Sequence, residues 1–144
     1  MNKINLSLKI LTPQEVKQVD GIEFSNSALV ELFIDDKFIG HFKYLDIALI
    51  VFSELRRSLS GNGHYLIFTS ASGIADDGGW DGVNVLYKDD SVSWSFRVDS
   101  TSYKFEFNES QYRNEIIKLE REVVNLSPAI ELEPSAIFFP ESWI

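Results

Sequence analysis

The chain has 144 residues, 22 acidic against 13 basic side chains for a net charge of −9, and no cysteine. That length suits one domain with its own core, while the missing cysteines exclude disulfide staples and thiolate metal sites. The charge argues against a nucleic-acid binder, which needs a dedicated face of Lys and Arg, and favours a basic partner or none.

In chain order, Ile4, Leu6, Leu8 and Ile10 alternate with Lys3, Asn5, Ser7 and Lys9, the period-two pattern of a strand with one buried face. Thr12-Pro13 ends it, because proline has no N–H to donate, and an edge strand is expected. The alternation also lacks the continuous apolar centre of a signal peptide. Residues 14–26 are polar, with a turn signal at Asp20-Gly21, and read as a connection. Residues 28–34 are apolar on both faces and are expected inside a sheet. Asp35-Asp36 is a turn, after which 37–42 returns as a short strand of a hairpin.

Leu45, Ala48, Leu49, Phe52, Leu55 and Leu59 recur at three- and four-residue spacing, which predicts a helix over about 44–59. Arg56 and Arg57 complement its negative end and 60–63, Ser-Gly-Asn-Gly, stops it. From His64 to Phe107 the chain reads as four antiparallel strands broken by one loop. Val92, Trp94, Phe96 and Val98 alternate with Ser91, Ser93, Ser95 and Arg97, and Tyr103, Phe105 and Phe107 with Lys104 and Glu106. Asn108 caps a second helix over about 109–124, with Gln111 at the capping-box position and an inner stripe of Tyr112, Ile116, Leu119 and Val123. Glu109, Arg113, Lys118 and Arg121 read as its solvated face. The tail holds three of the four prolines, so it is no long helix, and Ile137, Phe138, Phe139 and Trp143 are too apolar for a free end. These elements predict an α+β fold of one domain, an antiparallel sheet of about six or seven strands with two helices packed on it. No apolar run approaches the ~20 residues of a membrane helix, and a cytoplasmic protein is expected, with neither membrane nor nucleic acid as partner.

The loop 70–82, SASGIADDGGWDG, packs three aspartates, four glycines and a tryptophan into a short acidic segment. It fails as an EF-hand: the twelfth position, which needs a bidentate Glu, is Tyr87 counting from Asp76 and Lys88 counting from Asp77. Two histidines without cysteine are too few for zinc, so no metal and no cofactor are expected. Ser70 and Ser72 near His64 lack a nucleophile elbow, no phosphate-cradling glycine motif occurs, and nothing points to an enzyme.

With Thr69 and Gly73 around this loop, then Trp94, Phe107, Gln111 and Tyr112, the stretch from about 42 to 124 resembles small bacterial proteins with a T-C-x-C-G strand end, a glycine-rich loop with a third cysteine, a v-x-W-x-f strand and an aromatic-F-x-Q-Y segment opening the last helix. Several of these are immunity proteins of polymorphic toxin systems, including contact-dependent growth inhibition. Ser70, Ser72 and Asp77 stand where that pattern has cysteines, which removes any role the thiols would support. The resemblance implies a protein that binds and neutralises a cognate toxin by occlusion; a small accessory or regulatory module binding another protein or a small ligand is the alternative. Acidic charge beside an exposed aromatic is the expected interface with a basic toxin, which singles out Asp76, Asp77, Trp80 and Asp81 in the loop. Asp35 and Asp36 at the hairpin tip form the second candidate.

Overall fold

Residues 1–70 and 82–134 are described in this computed structural model, and they form an α+β fold of twelve strands and two α-helices. The alternating N-terminal segment is β1 (Ile4–Leu11). The polar segment after it is more than a connection: β2 (Lys17–Val19) and β3 (Ile22–Phe24) pair as a small hairpin. Asp20 and Gly21 at its tip have φ of 51° and 80°, the left-handed pair that a tight two-residue turn requires. β4 (Ser27–Ile34) is mostly buried and runs antiparallel to β1, from Ile4 opposite Ile34 to Leu11 opposite Ser27. Asp35 and Asp36 repeat the left-handed turn at φ 52° and 68°. The returning strand is shorter than the 37–42 expected, since β5 (Lys37–Phe38) gives way to a 3-10 turn at Ile39–His41.

The first helix is also shorter than its periodicity predicts. β6 (Leu49–Ile50) occupies the middle of the expected span, and α1 covers only Phe52–Arg57, followed by a 3-10 turn at Ser58–Ser60. β7 (Gly63–Tyr65) and β8 (Phe68–Thr69) come next; β8 pairs with β6, and the Val51 N–H donates to the Ile67 carbonyl at 2.8 Å. Two physical reasons account for this. Tyr44 sits at φ 67°, which no helix accommodates. Residues 47–52 are apolar on every side, so helical spacing there names no face, and β-branched Ile50 and Val51 suit extended backbone.

The second half matches its alternation closely. β9 (Val83–Lys88), β10 (Ser91–Val98) and β11 (Thr101–Asn108) form a four-stranded antiparallel sheet with β7, in the order β11-β10-β9-β7. Trp94 lies opposite Phe105 on one side and Val85 on the other. α2 (Glu109–Val124) follows directly, with the Asn108 carboxamide oxygen accepting from the Gln111 N–H at 3.0 Å. β12 (Glu131–Glu133) then joins β4 in parallel, so this sheet is mixed. The strands thus make two four-stranded sheets and two two-stranded pairs rather than one sheet of six or seven. A single buried cluster nevertheless runs through both larger sheets and both helices, from Ile4, Leu32 and Leu55 to Trp94, Phe107 and Ile116. Among the described residues no helix is long and apolar enough to cross a membrane.

β1 is an edge strand, and α2 closes its open edge. The Ile4 N–H donates to Gln111 Oε1 at 3.1 Å and the Leu6 N–H to Glu115 Oε1 at 2.9 Å, while the Gln111 amide donates back to the Ile4 carbonyl. The match is geometric: two strand residues advance about 6.7 Å and four helical residues about 6 Å, so an i,i+4 pair meets alternate strand amides. Gln111 is spent here and does not complete a capping box. Glu115→Ala is expected to cost about 1–2 kcal/mol, because the part-buried Leu6 N–H loses its acceptor. Urea unfolding of the variant against wild type measures this, with Lys118→Ala, which removes only the exposed Glu115 ion pair, as the comparison that changes little.

Candidate functional site

Of the residues that carry the resemblance, Thr69, Trp94, Phe107 and Tyr112 lie in the interior. Trp94, Phe107 and Tyr112 are fully buried. Trp94 meets Phe107 and Tyr112 edge-on, with ring centroids 5.2 and 5.9 Å apart, and Phe107 stacks on Tyr112 at 5.6 Å. Thr69 is buried at the end of β8, and Gln111 is tied to β1. Gly73 lies outside the described residues. These described positions therefore build the scaffold.

Three tyrosines brace one segment of that scaffold. The Tyr65 hydroxyl donates to the Gly61 carbonyl at 2.8 Å, the Tyr87 hydroxyl to the Ser58 carbonyl, and Tyr112 pairs with Ser58 Oγ. Burial raises the Tyr87 phenol from 10.0 to about 12 and pushes Tyr112 up as well. A phenol raised in the folded state keeps a proton that the unfolded chain releases near pH 10. The resulting stability is complete below pH 10 and is lost as pH rises through about 12. Unfolding midpoints are therefore expected to hold up to pH 10 and to fall between 10 and 12, with tyrosinate absorbance rising together with unfolding.

Of the interface residues expected from the sequence, Asp76, Asp77, Trp80 and Asp81 lie outside the described residues. Asp35 and Asp36 are exposed at the β4–β5 turn but have different roles. The Asp35 carboxylate accepts from Asn2 Nδ2 at 2.7 Å and from the Lys3 N–H at 2.8 Å, and these bonds hold it below the usual carboxylate range. Asp35 thus fastens the N-terminus, while no hydrogen bond or ion pair engages the Asp36 carboxylate among the described residues. Asn2 continues the chain of contacts: its N–H donates to the Glu106 carbonyl at 2.6 Å and its side-chain oxygen accepts from the Glu106 N–H at 2.9 Å. Two residues on, β11 ends and the Glu109 N–H donates to the Asp90 carbonyl at 2.8 Å. A hydrogen-bonded path so links the Asp35-Asp36 turn to the Asp89-Asp90 turn. The sequence marks both as Asp-Asp turns, and of the two it singles out only Asp35 and Asp36 as a candidate interface.

Charge at this end is mixed rather than purely acidic, because Lys3, Lys37 and Lys88 lie along the same path. Lys37 is occupied, its ammonium 4.3 Å from the centre of the Phe42 ring. Part of the acidity is backbone chemistry: among the described residues, five of the seven non-glycine residues at positive φ are aspartates, a residue type that tolerates the left-handed region. The Asp36 and Asp89 carboxylates at such turns are exposed to water.

Other chemistry weighed from the sequence finds these positions. His64 Nδ1 donates to Asn84 Oδ1 at 2.8 Å, and Ser70 is buried. Among the described residues no group of three or more His, Asp and Glu side chains is placed to hold a metal ion. Glu54 is a buried carboxylate, but it accepts from the Leu66 N–H at 3.0 Å and pairs with Arg57, joining α1 to the following loop. Comparison of the chain with protein-family models, curated proteins and solved structures finds no match.

Proposed function

We propose that this protein is a cytoplasmic immunity protein that binds a basic bacterial toxin and neutralises it by occlusion. The observation that carries the reading is the division of labour between interior and surface. Trp94, Phe107, Gln111 and Tyr112, the positions shared with immunity proteins, are spent on packing and on closing the sheet edge. A scaffold so built leaves recognition to its exposed faces, as fits proteins that meet different partners on one fold. The net charge of −9 then favours a cationic partner by steering its approach. Asp36, Asp89 and Asp90 are the described carboxylates proposed for contact, together with the loop residues Asp76, Asp77, Trp80 and Asp81 singled out by the sequence.

The test is co-expression with the neighbouring reading frame, which the proposal requires to encode a toxin. A stable complex should co-purify, and its association rate should fall steeply with salt. Failure to form any complex contradicts the proposal. Within a complex, Trp80→Ala with Asp77→Lys separates the two candidate surfaces: a loss under about 1 kcal/mol assigns the interface to the turns rather than the loop. A second reading, a small module that binds a low-molecular-weight ligand, is favoured by one observation, an arginine-lined cleft.

A further inference from the structure

A cleft of about 850 Å³ separates the end of α1 and its 3-10 turn from the outer side of α2. Four of the five arginines in the chain line it: Arg56, Arg57, Arg113 and Arg121. We propose that this cleft binds a small organic anion with at least two negative charges and an apolar body, of the phosphate-ester or polycarboxylate class.

The α2 wall explains the shape of such a ligand. Arg113, Ile117, Arg121 and Val124 follow one another at three- and four-residue spacing, so they share one helical stripe beside the buried one. Ile117 and Val124 are 37% and 76% exposed, so they face the cleft rather than the core, and Leu59 faces them from the opposite wall. Cations alternate with apolar side chains along this stripe, a surface suited to a molecule charged at one end and greasy at the other.

Charge makes the site unusual in this protein. The lining carries four guanidinium groups against the single carboxylate of Glu120, on a chain that is strongly acidic elsewhere. Helix-end electrostatics account for Arg56, Arg57 and Arg121, which lie in last turns. They do not account for Arg113, which lies in the N-terminal half of α2. Arg56 pairs with Glu120 across the cleft, Arg57 with Glu54 and Arg113 with Glu109, and Arg121 has no ion pair among the described residues. Each guanidinium has five N–H donors, so these pairs orient the groups and leave donors free for a phosphate or carboxylate.

The wall opposite α2 is held in place. The hydroxyls of Tyr65, Tyr87 and Tyr112 all bond within residues 58–61, and the Arg57 guanidinium lies 5.4 Å over the Tyr65 ring. Little ordering is left for a ligand to supply. The volume falls within the roughly 300–1,000 Å³ of small-molecule sites. A long nucleic-acid strand is a poor candidate, since most of its length would meet an acidic surface.

Calorimetric titration of the isolated protein at low salt, with ADP as the phosphate probe and phenylsuccinate as the carboxylate probe, tests this independently of any toxin. One-to-one binding of either is expected. Binding of ADP alone assigns the phosphate class, and binding of phenylsuccinate alone the carboxylate class. Arg113→Gln with Arg121→Gln should weaken binding at least about tenfold, the loss of charged hydrogen bonds, while leaving the melting temperature near wild type. Lys9→Gln with Lys17→Gln removes the same charge away from the cleft and should leave affinity unchanged. No binding of either probe at millimolar concentration overturns the proposal, as does an equal loss in the lysine variant or no loss in the arginine variant.

Discussion

Trp94→Ala should lower the unfolding free energy by about 3–5 kcal/mol, the largest effect of any single substitution considered for this chain. Trp94 has no exposed surface and lies at the centre of the β11-β10-β9-β7 sheet. Phe68, Phe107 and Tyr112 all meet it edge-on, at 6.1, 5.2 and 5.9 Å, so truncation forfeits three favourable ring contacts beside the burial itself. β10 itself is paired on both sides, by β11 and β9, and cannot collapse into the cavity, which places the cost high in the range. Urea unfolding followed by far-ultraviolet circular dichroism measures it; a loss under about 1 kcal/mol would contradict the placement of Trp94 in the core.

Tyr112→Phe should cost about 2–3 kcal/mol although it removes one oxygen atom. The directions of the hydrogen bonds follow from chemistry. Indole can only donate, so Trp94 Nε1 gives its proton to the Tyr112 hydroxyl at 3.2 Å. Ser58 Oγ donates to the Leu55 carbonyl, which leaves it accepting from Tyr112 at 2.5 Å. A relay runs from β10 through α2 to the end of α1, every member buried. Phenylalanine strands the indole N–H without an acceptor and Ser58 without its donor. Tyr103→Phe is the control, because that hydroxyl reaches the Lys43 carbonyl at the surface and water can replace it. Equal costs for the two variants would refute the relay.

Much of the fold can be read where one period holds without competition. The serine-interleaved run of β10 and the capped, striped α2 need only local rules, and both occur within a residue or two of their expected bounds. The 44–59 region shows why the rest was hidden. Its apolar residues satisfy helical spacing and a buried strand equally, and the choice was made by Phe68 and Thr69, a partner strand distant in sequence. The parallel addition of β12 to β4 is likewise a long-range event with no local signature. On the surface, sequence exposed the Asp-Asp signal at 35–36 but could not tell that Asp35 ties down Asn2 and Lys3. It also placed Arg113 and Arg121 on a plain solvated face, since nothing in α2 alone announces that the end of α1 stands opposite and makes a cleft.

The proposed function, neutralisation of a toxin by an exposed surface, is tested most directly by survival of cells that express the neighbouring reading frame, which the proposal requires to encode a toxin. Three proteins should be compared: wild type, Asp36→Asn with Asp89→Asn and Asp90→Asn, which removes charge but keeps a residue that tolerates the left-handed turns, and the arginine-cleft variant Arg113→Gln with Arg121→Gln. Wild type should rescue growth, the cleft variant should rescue it equally, and the charge-neutralised variant should rescue it poorly while melting near the wild-type temperature. Cells that die in the presence of abundant, folded wild-type protein would contradict the account.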